Sequence, residues 1–226
     1  MKNMKIVLRE EDCCSSWEVA AGESLEIYQL CTKGCHGVSV HLAEGASVKV
    51  VFAAAPEEDV AYEYLVVLCG EGASAEIYGV MVADGESKVK VITRMRHLAP
   101  NCHSNQQVRG IANSNGYGLF EGLVFVAPDA QKTEAYQQSR NVLLAPTARI
   151  QTLPQLEIYA DDVKCSHGAT VGQMNEEQIY YMRQRGLSEE AARKLQLGGF
   201  VREILDRIDD EALRAEFEEK LNIEAE

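Results

Sequence analysis

Apolar and polar residues alternate along this chain from near its start to about Gly172, and short turns interrupt the alternation. VSVHL (38–42), YEYLVVLC (62–69), AEIYGVMV (75–82), KVKVITRM (88–95) and GLFEGLVFVA (118–127) all read as strands. Side chains on a strand point to opposite faces in turn, so such runs bury one face and leave the other free.

The turns recur. AAGESLEI from Ala20, AEGASVKV from Ala43, GEGASAEI from Gly70 and ADGESKVKV from Ala83 share a small turn followed by a period-two segment. Weaker copies begin at Ala127 (APDAQKTEA) and Ala145 (APTARIQT). Many short strands with almost no helical periodicity predict an all-β body. Alternation alone does not separate a sandwich from a solenoid, but the recurring turn favours a solenoid of stacked coils.

The pattern changes at about Gln173, which divides the chain into a body at 1–172 and a helical region at 173–226. Asn175 with Gln178 predicts a helix start ahead of EEQIYYMRQR, and Gly186 ends that helix. Ser188 opens EEAARKLQLGGFVREILDRI, with two acids in its first turn where the helix dipole favours them. Leu195, Phe200, Ile204 and Ile208 keep near-helical spacing, and Gly198-Gly199 is expected to loosen the middle. Asp209 is the expected cap of a last helix carrying Leu213, Phe217 and Leu221. The apolar stripe of these helices must cover the end of the β body or a partner.

Composition narrows the class. At 226 residues, 46% hydrophobic and 25% charged, the chain is long enough for a real core plus a small appendage. No apolar run is long enough to cross a bilayer, and MKNMKIVLREEDCC lacks the apolar centre of a signal peptide. Seven cysteines without a disulfide pattern fit reduced thiols in the cytosol. The net charge of −13 repels nucleic acid phosphates and anionic membranes. Part of the acidic excess lies late, at Asp206, Asp209, Asp210, Glu211, Glu216, Glu218, Glu219, Glu224 and Glu226. A solvated helical face explains it, with a basic protein partner as the alternative.

The chemistry concentrates in LPQLEIYADDVKCSHGATVG (153–172). On a continuing strand Cys165 and His167 point the same way, with Ser166 opposite. A soft thiolate beside an imidazole suits a transition metal or an iron–sulfur cluster. Asp161 and Asp162 could give hard oxygen ligands for Fe²⁺ or support the histidine, although adjacent acids also simply end strands in solvent. Lys164 would favour a thiolate at Cys165 only if the two side chains converge. Core packing is the competing account of Cys165, since free cysteine is among the most buried residues.

That segment resembles the SufB/SufD family, the paired scaffold proteins of the SUF iron–sulfur cluster assembly system, and ADDVKCSHGAT is similar to its SufD-type sequence. The likeness continues through RMRHLAPNCHSNQQVRGIANSNGYGLFEGLVFVAPDAQKTEAYQQSRNVLLAP from Arg94 and through RQRGLSEEAARKLQLGGFVREIL. His97, Phe120, Gly122, Gln131, Lys132, Thr133, Arg140 and Asn141 stand at the family's places. It covers about residues 94–208, roughly half the chain, and the first ninety fit only as β-helix filler. Family members normally carry an additional N-terminal helical region, so the resemblance implies a compact or shortened member.

The resemblance implies a right-handed parallel β-helix whose C-terminal end joins a SufB-type paralogue or a second copy of the chain. It implies that the C-terminal helices bind the SufC ATPase through residues near 173–208, with Tyr181, Arg185, Phe200 and Ile204 as partner-binding candidates. It also implies a transient cluster at the subunit junction, built by a SufB cysteine and a SufD histidine. That histidine maps to His167, next to Cys165. The SufB-type cysteine belongs in the segment before Pro154, here PTARIQTL, where Ala148 stands instead. Alone, the chain would hold half a site, needing either a SufB-type partner or Cys165 as a substitute.

Other candidates are weaker. Cys31-x₃-Cys35-His36, with His41 across a turn, resembles a metal clip but lacks an evident fourth ligand. Cys102-His103 reads as an exposed turn, and Cys13-Cys14 as incidental. No phosphate loop, dinucleotide fingerprint, nucleophile elbow or HExxH helix is present, so the chain is not expected to bind ATP itself. The expected function is a non-catalytic scaffold for iron–sulfur assembly. The alternatives are a structural or regulatory partner of an ABC-type ATPase with no cluster, and a thiol or metal enzyme using Asp162, Cys165 and His167.

Overall fold

The computed structural model of the chain describes residues 3–221. Thirteen strands and three helices follow one another in chain order. Odd-numbered strands form a seven-stranded parallel sheet: β1 (Asn3–Leu8), β3 (Ser24–Cys31), β5 (Ser47–Ala54), β7 (Ser74–Ala83), β9 (His103–Ala112), β11 (Glu134–Leu143) and β13 (Lys164–Gln173). Even-numbered strands form a second parallel sheet of six: β2 (Cys14–Val19), β4 (Gly34–Leu42), β6 (Val60–Leu68), β8 (Lys88–His97), β10 (Tyr117–Val126) and β12 (Arg149–Ile158). Each coil gives one strand to each sheet, so the chain is a parallel β-solenoid, as the recurring turns predict.

One corner shows why the turn recurs. Gly22, Gly45 and Gly72 adopt left-handed φ of 70°, 61° and 69°, a conformation glycine enters without steric cost. Asn101 and Lys132 continue the column at φ 57° each. The amide of each turn donates to a carbonyl of the next: Gly22 to Glu44, Gly45 to Glu71, Gly72 to Pro100, Asn101 to Gln131 and Lys132 to Asp162. Asp161-Asp162 is therefore the last turn of this corner.

The inner faces of the two sheets close on a single core running from Leu25, Val48 and Val50 to Phe120 and Val124. The helical region, α1 (Glu176–Gln184), α2 (Glu189–Leu205) and α3 (Glu211–Lys220), returns along the outer face of the odd-numbered sheet. Val201, Ile204, Ile208 and Phe217 bury against Tyr28, Val51, Tyr78 and Val80 of that face. The apolar stripe thus covers the chain's own sheet face, and not the end of the body that the sequence suggested.

The caps at Asn175 and Ser188 form as expected, accepting from the amides of Gln178 and Ala191. The third cap lies one residue later than expected. Asp210 accepts from Leu213, which frees Asp209 to meet Lys49 at 3.2 Å. Gly198-Gly199 does not interrupt α2, which runs unbroken under the packing of its buried face.

The late acids are not merely a solvated face. Lys5 pairs with Asp210 at 2.9 Å, Arg9 pairs with Glu216, and Arg109 with Glu203 at 2.6 Å. Basic residues of the chain's own β body thus take up part of the acidic excess. Glu224 and Glu226 lie outside the described residues.

Candidate functional site

β12 and β13 end their sheets: each has a strand partner on one side only among the described residues. Pro154 lies in β12, the kind of edge position where a missing N–H is tolerated. Leu153, Ile158 and Val171 on these strands, and Tyr159 just past β12, leave apolar surface open.

Register places the candidate ligands. Cys165 is opposite Ala135 and His167 opposite Gln137, both buried inward-facing residues of β11. Cys165 and His167 therefore share the inner side of the edge strand, with Cα atoms about 6.6 Å apart by strand rise. Cys165 is half-buried against the core, and burial raises its thiol pKa, offset only by the Ala135 backbone. His167 is exposed.

Lys164 turns to the outer side and pairs with Glu134 at 2.7 Å, so it does not converge on the thiol. Asp161 and Asp162 are exposed in the last corner turn. There the Asp162 amide donates to Gln131 Oε1 at 2.9 Å. Among the described residues no group of three or more His, Cys, Asp or Glu side chains is placed to hold a metal. Cys165 and His167 thus form a two-ligand surface that other ligands would have to complete. Ala148 is buried at the opposite corner, before β12, a strand length from Cys165.

The remaining candidates separate. Cys31 is buried in the core while Cys35 is exposed. His36 is buried, its Nε2 at 2.8 Å from the Lys33 carbonyl and its ring 5.7 Å from that of Tyr62. The clip does not assemble, because alternation sends Cys35 and His36 to opposite faces. Cys102 is not an exposed turn residue: it is buried, and its thiol donates to the Gly70 carbonyl at 3.3 Å. One pairing that spacing could not reveal is Cys69 Sγ at 4.0 Å from His41 Nδ1, both exposed on the outer side of the even-numbered sheet.

Of the helical candidates, Tyr181 and Arg185 are exposed, with the Arg185 guanidinium donating to the Tyr181 hydroxyl at 2.7 Å. Phe200 is half-buried and, with Arg140, Val142, Met174, Tyr181 and Leu195, lines a groove of about 890 Å³ beside the outer face of β11. Ile204 is fully buried against the sheet and offers nothing to a partner in this arrangement.

A parallel β-solenoid with an open, thiol- and imidazole-bearing edge and a helical cover is the class that fold and site define. The family model for the "SUF system FeS cluster assembly, SufBD core domain" matches residues 24–200. The chain belongs to the SufBD family of SUF iron–sulfur cluster assembly proteins. The match begins at Ser24, well ahead of Arg94, so the coils from β3 onward fall within the matched core domain.

Among curated relatives, the chain is 37% identical over 147 residues to the iron–sulfur cluster assembly protein SufD of Escherichia coli K12, covering 65% of this chain and 35% of that protein. It is 44% identical over 109 residues to an iron–sulfur cluster assembly SufBD family protein of Synechocystis, covering 48% and 24%. It is 39% identical over 104 residues to Protein ABCI7, chloroplastic, of Arabidopsis thaliana, covering 46% and 22%. The matched part is thus about a third or less of each of these relatives. No described helix is long and apolar enough to cross a membrane.

Proposed function

We propose that this chain is a non-catalytic scaffold component of iron–sulfur cluster assembly in the cytoplasm. One observation carries the reading: Cys165 and His167 stand side by side on the inner side of an edge strand whose far side has no neighbouring strand among the described residues. Unpaired edges are templates for another chain. A SufB-type paralogue or a second copy would join β12 and β13 there, supplying the ligands this chain lacks. The iron–sulfur cluster is cargo at that junction, held transiently, with Asp161 and Asp162 near enough along the chain to assist. A SufC-type ABC ATPase would engage the exposed side of α1 and α2 through Tyr181, Arg185 and Phe200. No part is assigned to nucleic acid or membrane.

Anaerobic reconstitution with iron and sulfide, with and without the paralogue, tests the site. Wild type is expected to retain iron and sulfide, and Cys165→Ser/His167→Ala to lose most of both. Equal retention by the double variant would sink the assignment. A second reading keeps the complex and drops the cluster, and Ala148 in place of the expected cysteine favours it. Co-purification with the ATPase that survives the double substitution, with no iron in either protein, would select it.

A further inference from the structure

The interior of the solenoid changes chemistry along its length. In one inward column of the odd-numbered sheet the early coils are apolar, at Ile27, Val50 and Ile77. In the same column the next three residues are Gln106, Gln137 and His167. Gln106 and Gln137 are 0% and 2% exposed, yet neither the amide oxygen nor the amide nitrogen of either has a hydrogen-bond partner among the described residues. The hydroxyls of Thr93 and Thr152, from the facing sheet, are buried without partners as well. Folded proteins very seldom leave so many amide and hydroxyl atoms dry in one place.

Room for these groups is built into the backbone. A Cβ on Gly122 would stand 2.1 Å from the Gln137 side-chain nitrogen, so the amide lies over a position that only glycine can occupy. Gly122 pairs in register with Thr93 on one side and Pro154 on the other, which puts Thr93 in the column that the Gln137 amide faces, while Thr152, opposite Phe120, stands one inward position along. No Asp, Glu, Lys or Arg stands at an inward position of β8 to β13. His97, two inward positions beyond Thr93 on β8 and 2.8 Å from the Ser104 hydroxyl through its Nε2, is held neutral by burial, its pKa pushed down to about 4.

We infer that the last coils of the solenoid bind a file of ordered water, running from Gln106 past Gln137 to the exposed His167. Neutral donors and acceptors without fixed charge suit water, and each buried water needs two to four such partners. The file hydrates the inner side of Cys165 and His167. Proton exchange with solvent can then proceed from within the coil even when another chain covers the edge. This inference stands on the lumen residues and holds whether or not a cluster is built at the edge.

The test is water-selective nuclear Overhauser spectroscopy on the full-length protein, with the side-chain amides assigned by Gln106→Met and Gln137→Met. Both amides are expected to show cross-peaks to long-lived water. Their absence from both assigned amides would overturn the inference. Melting of the double Met variant is the second measurement. Water-bonded amides predict an unchanged or lower Tm, whereas a rise of several degrees would mark two dry amides usefully removed and reject the file.

Discussion

Arg109 is wholly buried beneath α2, and its Nη2 donates to Glu203 Oε2 at 2.6 Å. The guanidinium also lies 5.8 Å from the Phe200 ring centroid. A strand residue in the middle of the stack therefore depends on one carboxylate of the helical cover for its charge balance.

Glu203→Gln is expected to destabilise the fold by about 1–3 kcal/mol, because it leaves a buried charge with a weaker partner. Urea unfolding at neutral pH measures it. The Arg109→Met/Glu203→Gln double variant should recover part of the loss, since replacing both members of a buried pair is often nearly neutral.

The same pair sets a pH dependence. The Arg109 hydrogen bond holds the Glu203 carboxyl below its ordinary range. A carboxylate whose folded pKa is depressed stabilises above its unfolded value and loses that contribution as pH falls through the folded one. Wild type should therefore lose stability below about pH 4.5 more steeply than Glu203→Gln, as followed by thermal melts across that window.

The cover is expected to resist salt. Lys5–Asp210 and Lys49–Asp209 are partly exposed pairs, weak in water and screened at high ionic strength. Phe217 is fully buried against the sheet, and Phe217→Ala should cost about 3–5 kcal/mol. Hydrogen exchange in α3 should rise far more in that variant than in wild type at molar salt.

Thiol reactivity should follow the two faces of the strands. Cys31 is buried with its pKa pushed up to about 11, so iodoacetamide at neutral pH should leave it unmodified in the native protein. Exposed Cys13, Cys14, Cys35 and Cys69 should react first, and half-buried Cys165 more slowly than any of them. Mass spectrometry of a time course gives the order, and early loss of the Cys31 thiol would contradict the packing.

Gly79→Ala is expected to destabilise by about 1–3 kcal/mol. A Cβ there would fall 1.9 Å from the Phe52 ring, which is locked between Tyr62 and Tyr64. Chemical denaturation reads the loss directly.

The solenoid was legible because its signals are local. A turn glycine and a period-two run need no knowledge of the rest of the chain, and Gly22, Gly45 and Gly72 stand where the repeat puts them. The shared face of Cys165 and His167 followed from the same alternation. Facts that depend on register between coils were out of reach. Alternation could not place Cys102 beneath the Gly70 carbonyl, bring Gln106 and Gln137 into one column with His167, or set Glu203 over Arg109. The helical cover was misplaced for a similar reason. Its apolar stripe was visible, but the matching stripe on the sheet, Tyr28, Val51 and Tyr78, is spread over three strands more than twenty residues apart.

The helices leave the last coil at Gln173 and reach the first at Lys5 and Arg9. A stack of coils held only by neighbour-to-neighbour bonds would bend or twist at its weakest joint. Fastened from end to end along one side, this one should behave as a stiff beam. A load applied to the cover is then shared by every coil, and the edge at β13 responds to torque on the whole body.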